Sequence, residues 1–322
     1  MSFIQYPIVF VPILKDRIWG GTKLNTVLGK EIHSDQVGES WEVSGVTDNV
    51  SIVANGTYKG CDLEELINQY PEELLGSYIY NRFGKQFPLL FKFLDAKEDL
   101  SIQLHPNDEL AMKRHQSLGK TEMWYVMQAD PGARVVVDFK DGVHQEDYMK
   151  HLENKTLPSI LNEILVEKGD VFFIETGTVH AIGGGVLLAE IQQTSDITYR
   201  VYDWDRVDAE GNSRELHVDL AKDAINYEPK QVELVYEKKE NVANSIVECP
   251  YFSVNYIPLK EVYHLKKAID RFHFYVCTEG DCTFVINQDK YEFSKGDSIL
   301  IPAAIAEFSI EGKATLLEIF VS

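Results

Sequence analysis

Cysteine is scarce: four are spread over 322 residues, and none falls in the closely spaced pairs that hold zinc or a redox disulfide. Cys277 and Cys282 flank an expected turn at Gly280-Asp281, while Cys61 and Cys249 stand alone. All four are expected as reduced thiols in or near a core, in a cytoplasmic protein. The opening Met1-Ser-Phe-Ile-Gln5 has neither a basic segment nor a long apolar run, so neither a signal peptide nor a membrane anchor is expected. Positive charge is also short, with 31 Lys and Arg against 51 Asp and Glu, a net charge of -20. Such a field repels nucleic acid and anionic membranes and leaves room for a small anionic substrate held by a few local cations. Nucleotide-binding fingerprints are missing as well. Gly183-Gly-Gly185 is followed by a strand-like run, and the phosphate-loop spacing is absent.

What is present is a soluble, globular composition, 44% apolar and 25% charged, long enough for one large or two moderate cores. Most of it reads as short strands. Residues 6 to 20, broken by Pro7 and Pro12, suit irregular wrapping segments and short strands, followed by strands at Trp41–Gly45 and Val50–Ala54. Asp62 opens a short amphipathic helix over Leu63–Tyr70, and Pro71 a second that Gly76 ends. Phe87–Leu94 reads as a buried strand joined by the charged turn Asp95–Asp99 to an adjacent strand. Asn107–Leu118 and the region 144 to 163 are helix-compatible, the latter an insertion after strand Ala133–Phe139, with the strand pattern resuming at Ile164–Val166 and then Gly169–Ile174. His217–Ile225 is a helical link. From residue 231 short strands follow at Glu248–Ile257, Phe272–Thr278, Asp281–Ile286, Ser298–Ile301 and Thr315–Phe320, with turns expected at Gly280, Gly296 and Gly312.

The chain's chemistry is concentrated in Leu100-Ser-Ile-Gln-Leu-His-Pro106. In an extended chain Ser101, Gln103 and His105 share one face and Ile102 and Leu104 the other. Lys120 and Glu122 share a face by the same period of two, and Val171–His180 delivers a histidine just after a glycine turn. Gln103, His105, Glu122 and His180 on separate segments form an N/O set suited to zinc or another borderline divalent metal. Arg200, set among the aromatic and apolar residues of Thr198-Tyr-Arg-Val-Tyr202, needs an anionic partner: a substrate phosphate, developing negative charge, or a carboxylate such as Glu190. There is also an internal echo. Gly169-Asp through His180 parallels Gly296-Asp through Glu307, with no histidine in the second copy.

These runs, together with Ile18-Trp-Gly-Gly21, Gly38-Glu-Ser-Trp-Glu42, Gly119-Lys-Thr-Glu-Met-Trp124 and Gly177-Thr-Val-His180, closely resemble type I mannose-6-phosphate isomerases in their short bacterial form, over nearly the whole chain. The resemblance implies a mainly β fold of tandem cupin jelly-roll barrels or sandwiches with a small helical insertion. It implies a catalytic domain over 1–230 and a degenerate, metal-free domain over 231–322. It further implies one zinc ion per chain on Gln103, His105, Glu122 and His180, and interconversion of mannose 6-phosphate and fructose 6-phosphate through a cis-enediol. Arg200 matches the family's catalytic arginine; Lys120 and Ser101 match residues around the substrate. Glu190, ten residues before Arg200, is the first candidate for the proton carrier, with a structural partnership to Arg200 or a nearby lysine as the competing role. A different metal-dependent cupin enzyme, an oxygenase or another sugar isomerase, and a non-catalytic sugar-binding cupin remain the alternatives. A monomer or weak homodimer is expected.

Overall fold

A computed structural model describes residues 5–207 and 211–322. The opening Met1–Ile4, read above for an export signal, and residues 208–210 of the charged stretch Asp203–Glu215 lie outside the described residues. The fold is mainly β. One seven-stranded antiparallel sheet runs in the order Glu233–Leu234, Val171–Ile174, Glu122–Ala129, Val186–Gln193, Leu89–Ala96, Val37–Val43, Ile13–Gly21. A five-stranded sheet runs Leu161–Leu165, Arg134–Phe139, His180–Ile182, Ile102–Leu104, Tyr199–Tyr202. A third is built on Asn244–Glu248, Ser253–Leu259, Glu307–Phe320, His273–Ile286 and Asp289–Ser294.

The expected tandem of jelly-roll barrels is corrected here. The five-stranded sheet ends in Leu161–Leu165 and Tyr199–Tyr202, and the first seven-stranded sheet in Glu233–Leu234 and Ile13–Gly21; among the described residues no sheet closes on itself. The first two sheets join instead through side chains. Leu94, Trp124 and Leu188 from one share an apolar cluster with Val135, Val137 and Ile182 from the other. The expected adjacency of the strands on either side of Asp95–Asp99 dissolves for the same reason. Leu89–Ala96 and Ile102–Leu104 lie in different sheets, as do Glu122–Ala129 and Arg134–Phe139, so the turns Asp95–Asp99 and Asp130–Gly132 cross from sheet to sheet.

In the second half the turns expected at Gly280 and Gly312 are absent. His273–Ile286 and Glu307–Phe320 are each one 14-residue strand. They pair from Phe274↔Ile319 to Val285↔Ser309 with an irregularity between Cys277 and Glu279. Gly280 there has φ +73°, and a Cβ on it would stand 2.1 Å from the Lys313 carbonyl oxygen, so glycine bends the paired strands instead of reversing them. All four cysteines are free, Cys277 and Cys282 buried.

Helices fall near their expected places at Leu63–Gln69, Pro71–Leu75, Asp108–His115, Gln145–Glu153 and Val218–Lys222, and beyond Gly76 the chain goes straight on into a further helix, Ser77–Phe83. Asp62 caps the first in a capping box with Glu65, satisfying otherwise orphaned amides. No helix among the described residues is long and apolar enough to cross a membrane.

Period-two alternation on the first sheet does two jobs. Phe91, Phe93, Met123, Tyr125, Leu187 and Ala189 face a core that also takes in Phe272, Phe274, Val276, Leu317 and Ile319 from the second half. Phe91 and Phe274 meet with ring centroids 5.5 Å apart, and Phe87 stacks on Phe272 at 5.0 Å. The intervening residues Lys92, Glu122, Trp124 and Glu190 turn to the opposite face. Because this core is shared, Phe274→Ala is expected to cost about 3–5 kcal/mol in urea unfolding and to lower both halves in one transition. Two separate transitions, only one of them shifted, would contradict the shared core.

Candidate metal centre and substrate pocket

Glu122 begins the strand Glu122–Ala129, His180 begins His180–Ile182, and His105 follows Ile102–Leu104. The three side chains are buried, and their ligand atoms all lie within 4.8 Å of one another. His105 Nδ1 donates to the Ile197 carbonyl at 2.8 Å and His180 Nδ1 to the Thr178 carbonyl at 2.9 Å. A carbonyl can only accept, so each ring keeps its proton on Nδ1 and presents an Nε2 lone pair. Those lone pairs face Glu122, at 3.4 Å for His105 and 3.5 Å for His180.

Both Nε2 atoms and both Glu122 oxygens are buried without a hydrogen-bond partner. Burial pushes the His105 pKa down to about 3 and lowers that of His180, so both imidazoles are neutral. Burial alone would raise the Glu122 pKa, but the positive charge of Lys120 outweighs it, and the carboxyl is held below its ordinary value. Four acceptor atoms converging without a donor are costly unless a cation sits among them. The set fits one divalent metal ion with N and O ligands.

Gln103 is the cross-strand neighbour of both His180 and Arg200. It lines the same cavity of about 600 Å³ as His180, Lys120, Ser101, Glu190 and Arg200. Lys120 is buried with Nζ 3.5 Å from Glu122. Burial would lower its pKa, but Glu122, Glu190 and Glu39 together raise it, and it stays an ammonium. Arg200 donates through Nε to Ser101 Oγ at 3.2 Å and through Nη1 to the Glu215 carbonyl at 2.9 Å. Among the described residues no carboxylate pairs with it. Glu190 engages other groups: Lys92 Nζ at 3.1 Å on Oε1 and the Trp124 indole N–H at 3.1 Å on Oε2.

Lys92 was passed over in the sequence because it sits inside the apolar run Phe87–Leu94. The available signal was the charge itself, since a lysine in the middle of a buried strand must find an anion. It belongs to a row of alternating charges crossing neighbouring strands. Arg17 pairs with Glu39 at 2.7 Å, and Lys92 with Glu190. Trp41 donates to Glu39 at 2.6 Å as Trp124 does to Glu190. Burial pushes the Glu39 pKa upward, but Lys92 and Arg17 bring it down to about 2. The pocket face is therefore a field of satisfied ion pairs beside the unsatisfied cluster of His105, Glu122 and His180.

The echo seen in the sequence has a geometric counterpart. Gly169 N donates to the Val126 carbonyl and Val126 N to that of Asp170, at 2.8 and 2.9 Å; Gly296, Cys277 and Asp297 repeat both bonds at the same distances. The registers then set His273 where Glu122 stands and Glu318 where Glu190 stands. Glu318 is closed by its own partners, His273 at 2.9 Å, Tyr275 at 2.5 Å and Asn255 at 2.8 Å. Glu307, opposite His180 in the echo, is an exposed residue paired with Lys266.

Comparison with known proteins agrees with this geometry. Residues 9–136 match the model of the phosphomannose isomerase type I catalytic domain, and residues 243–321 that of the mannose-6-phosphate isomerase cupin domain. The mannose-6-phosphate isomerase ManA of Bacillus subtilis is 38% identical over 312 residues, covering 96% of both chains. The chain belongs to the type I phosphomannose isomerases. The mannose-6-phosphate isomerase of Streptococcus mutans is 33% identical over 313 residues, covering 97% of each chain. A crystal structure of a Bacillus subtilis mannose 6-phosphate isomerase superposes with a TM-score of 0.89 at 33% identity, covering 98% of this chain and 99% of that one. In a family member built this way, His180→Ala is expected to remove most of the bound metal, measured by elemental analysis of the purified protein. Undiminished metal content would contradict the cluster.

Proposed function

We propose that this chain is a zinc-dependent aldose–ketose isomerase that interconverts mannose 6-phosphate and fructose 6-phosphate through a cis-enediol. The observation that carries the reading is the pair of imidazole lone pairs and the carboxylate, buried together, with His180 reaching the lining of a cavity that also presents Arg200. Family membership supplies the substrate. Gln103, His105, Glu122 and His180 are the proposed ligands. Zinc when bound supplies Lewis-acid polarisation of the sugar's oxygens without redox chemistry.

The chain's own groups do the rest. Moving the carbonyl between C1 and C2 takes a proton off one carbon and returns one to the other, with negative charge developing on oxygen between the two events. Arg200, fixed by Ser101 and the Glu215 carbonyl, is the guanidinium assigned to an anion of the substrate or to that developing charge. Lys120 is assigned both to the catalytic set, with Arg200 and Glu190, and to binding and orienting the sugar phosphate. Glu190 is the acid of the pocket wall assigned to carry the proton, and its hold on Lys92 is the competing task. We assign 1–230 to the catalytic unit and 231–322 to its metal-free counterpart; the two matched family models fall on either side of that boundary. A cytoplasmic monomer or weak homodimer is the proposed setting, in keeping with four free thiols.

A coupled assay on mannose 6-phosphate tests the reading. Conversion is expected to disappear with chelator and return with zinc; no conversion by protein shown to hold zinc would sink the assignment. Arg200→Lys is expected to leave fold and metal content intact and to lower turnover by about 10²-fold or more, since a point cation does not reproduce the fork. Unchanged turnover and saturation would remove Arg200 from the chemistry.

A further inference from the structure

Lys120 is delivered by residues 116–121, a segment outside any helix or strand. A lysine head at the end of four rotatable bonds can be placed reproducibly only if its root is fixed. Here three successive amides are held. Gly119 N donates to Asp108 Oδ1 at 2.8 Å, Lys120 N to the Pro106 carbonyl at 3.3 Å, and Thr121 N to Gln193 Oε1 at 2.9 Å. Gln193 N donates back to the Thr121 carbonyl at 3.2 Å.

The two side-chain acceptors are themselves joined, Gln193 Nε2 donating to Asp108 Oδ1 at 3.0 Å. The other oxygen of Asp108 accepts from Tyr251 Oη at 2.9 Å. Tyr251 comes from the turn between Asn244–Glu248 and Ser253–Leu259, in the second half of the chain. The segment also lies hard against the start of the helix Asp108–His115. A Cβ on Gly119 would stand 2.7 Å from Asp108 N and 2.8 Å from the Asn107 carbonyl carbon.

We propose that Asp108 is a positioning residue for Lys120, clamped between Gln193 and Tyr251, and that through Tyr251 the metal-free half of the chain sets the geometry of the reaction; this rests on the assignment of Lys120 to the sugar phosphate made above. Asp108 touches no substrate atom in this scheme. It acts by denying residues 119–121 any other backbone position. Among the described residues Tyr251 is the link from the second half to this network, and it gives that half a part in the chemistry despite its closed site around Glu318.

Asp108 also opens a helix, where any acid is mildly favourable, so the test must separate charge from hydrogen-bond geometry. Asparagine does so. Its Oδ1 accepts from Gly119 and Gln193 as before, and its amide can donate to the Tyr251 oxygen. The measurements are hydrogen–deuterium exchange of the 116–121 peptide by mass spectrometry and steady-state kinetics, both on zinc-loaded full-length protein.

Asp108→Ala is expected to speed exchange in that peptide and to lower kcat by about tenfold to a hundredfold with KM and zinc content little changed, the penalty of misplacing a catalytic group by an ångström or so. Asp108→Asn is expected to recover most of the loss, and Tyr251→Phe, which removes a single hydroxyl, to move both readouts the same way by less. Wild-type exchange in Asp108→Ala, faster exchange with unchanged kcat, or an Asp108→Asn as impaired as the alanine variant would each overturn the proposal. Should the zinc-loaded wild type fail to isomerise mannose 6-phosphate, the functional assignment falls, and the role for Asp108 in the reaction falls with it, whereas faster exchange in Asp108→Ala would still show the clamp.

Discussion

Two imidazole lone pairs point at a carboxylate that makes no hydrogen bond and has only the Lys120 ammonium, 3.5 Å away, for company in the interior of the protein. Glu122, His105 and His180 cannot all be comfortable in that arrangement as protein alone, because like partial charges face one another at 3.4 and 3.5 Å with solvent excluded. Every nearby feature keeps it that way. The Ile197 and Thr178 carbonyls fix the tautomers, and Lys120 keeps the carboxylate charged. The strand His180–Ile182 is pinned between Arg134–Phe139 and Ile102–Leu104. A cation is the simplest object that relieves all four acceptors at once.

The sheet that supplies Glu122 has an unusual division of labour. One face carries phenylalanine, methionine and leucine into a core shared with the second half of the chain, and the other carries lysine, glutamate and tryptophan into a pocket. Burying Glu39, Lys92 and Glu190 in a row that the partly exposed Arg17 ends is tolerable because each charge meets its opposite across neighbouring strands and each carboxylate takes an indole N–H as well. Removing one partner would leave its neighbour buried and unpaired, so the row holds the pocket in one geometry. The shared core makes the same demand from behind: the second half is the back wall of the catalytic sheet, and through Tyr251 it also reaches the segment that carries Lys120.

Much of the site could be read in the chain because period two and a few charged or ring-bearing residues suffice to show it. Ser101, Gln103 and His105 alternate with Ile102 and Leu104, Lys120 precedes Glu122 by two, and Asp62 marked the start of its helix. What could not be read was which sheet each strand would join. Nothing in Asp95–Asp99 or Asp130–Gly132 says whether the chain turns back on itself or crosses over, and both cross. Gly280 and Gly312 look like turns, since glycine at positive φ serves a reversal and a bend inside paired strands equally well. The expected closed rolls failed on the same ground, as closure depends on edge strands finding each other and not on any residue within them. Lys92 was hidden by its apolar neighbours. Its partner Glu190 was noticed, but with Arg200 among its possible partners, and the cross-strand register gives it to Lys92 instead.

The central claim, that one divalent ion sits on two imidazole nitrogens with carboxylate and amide oxygen, is tested most directly by X-ray absorption at the metal edge of the purified, metal-replete protein. The account predicts a shell of light atoms containing two imidazoles at about 2.0–2.1 Å, completed by oxygen and free of sulfur. A thiolate in the shell, or fewer than two imidazoles, would contradict it.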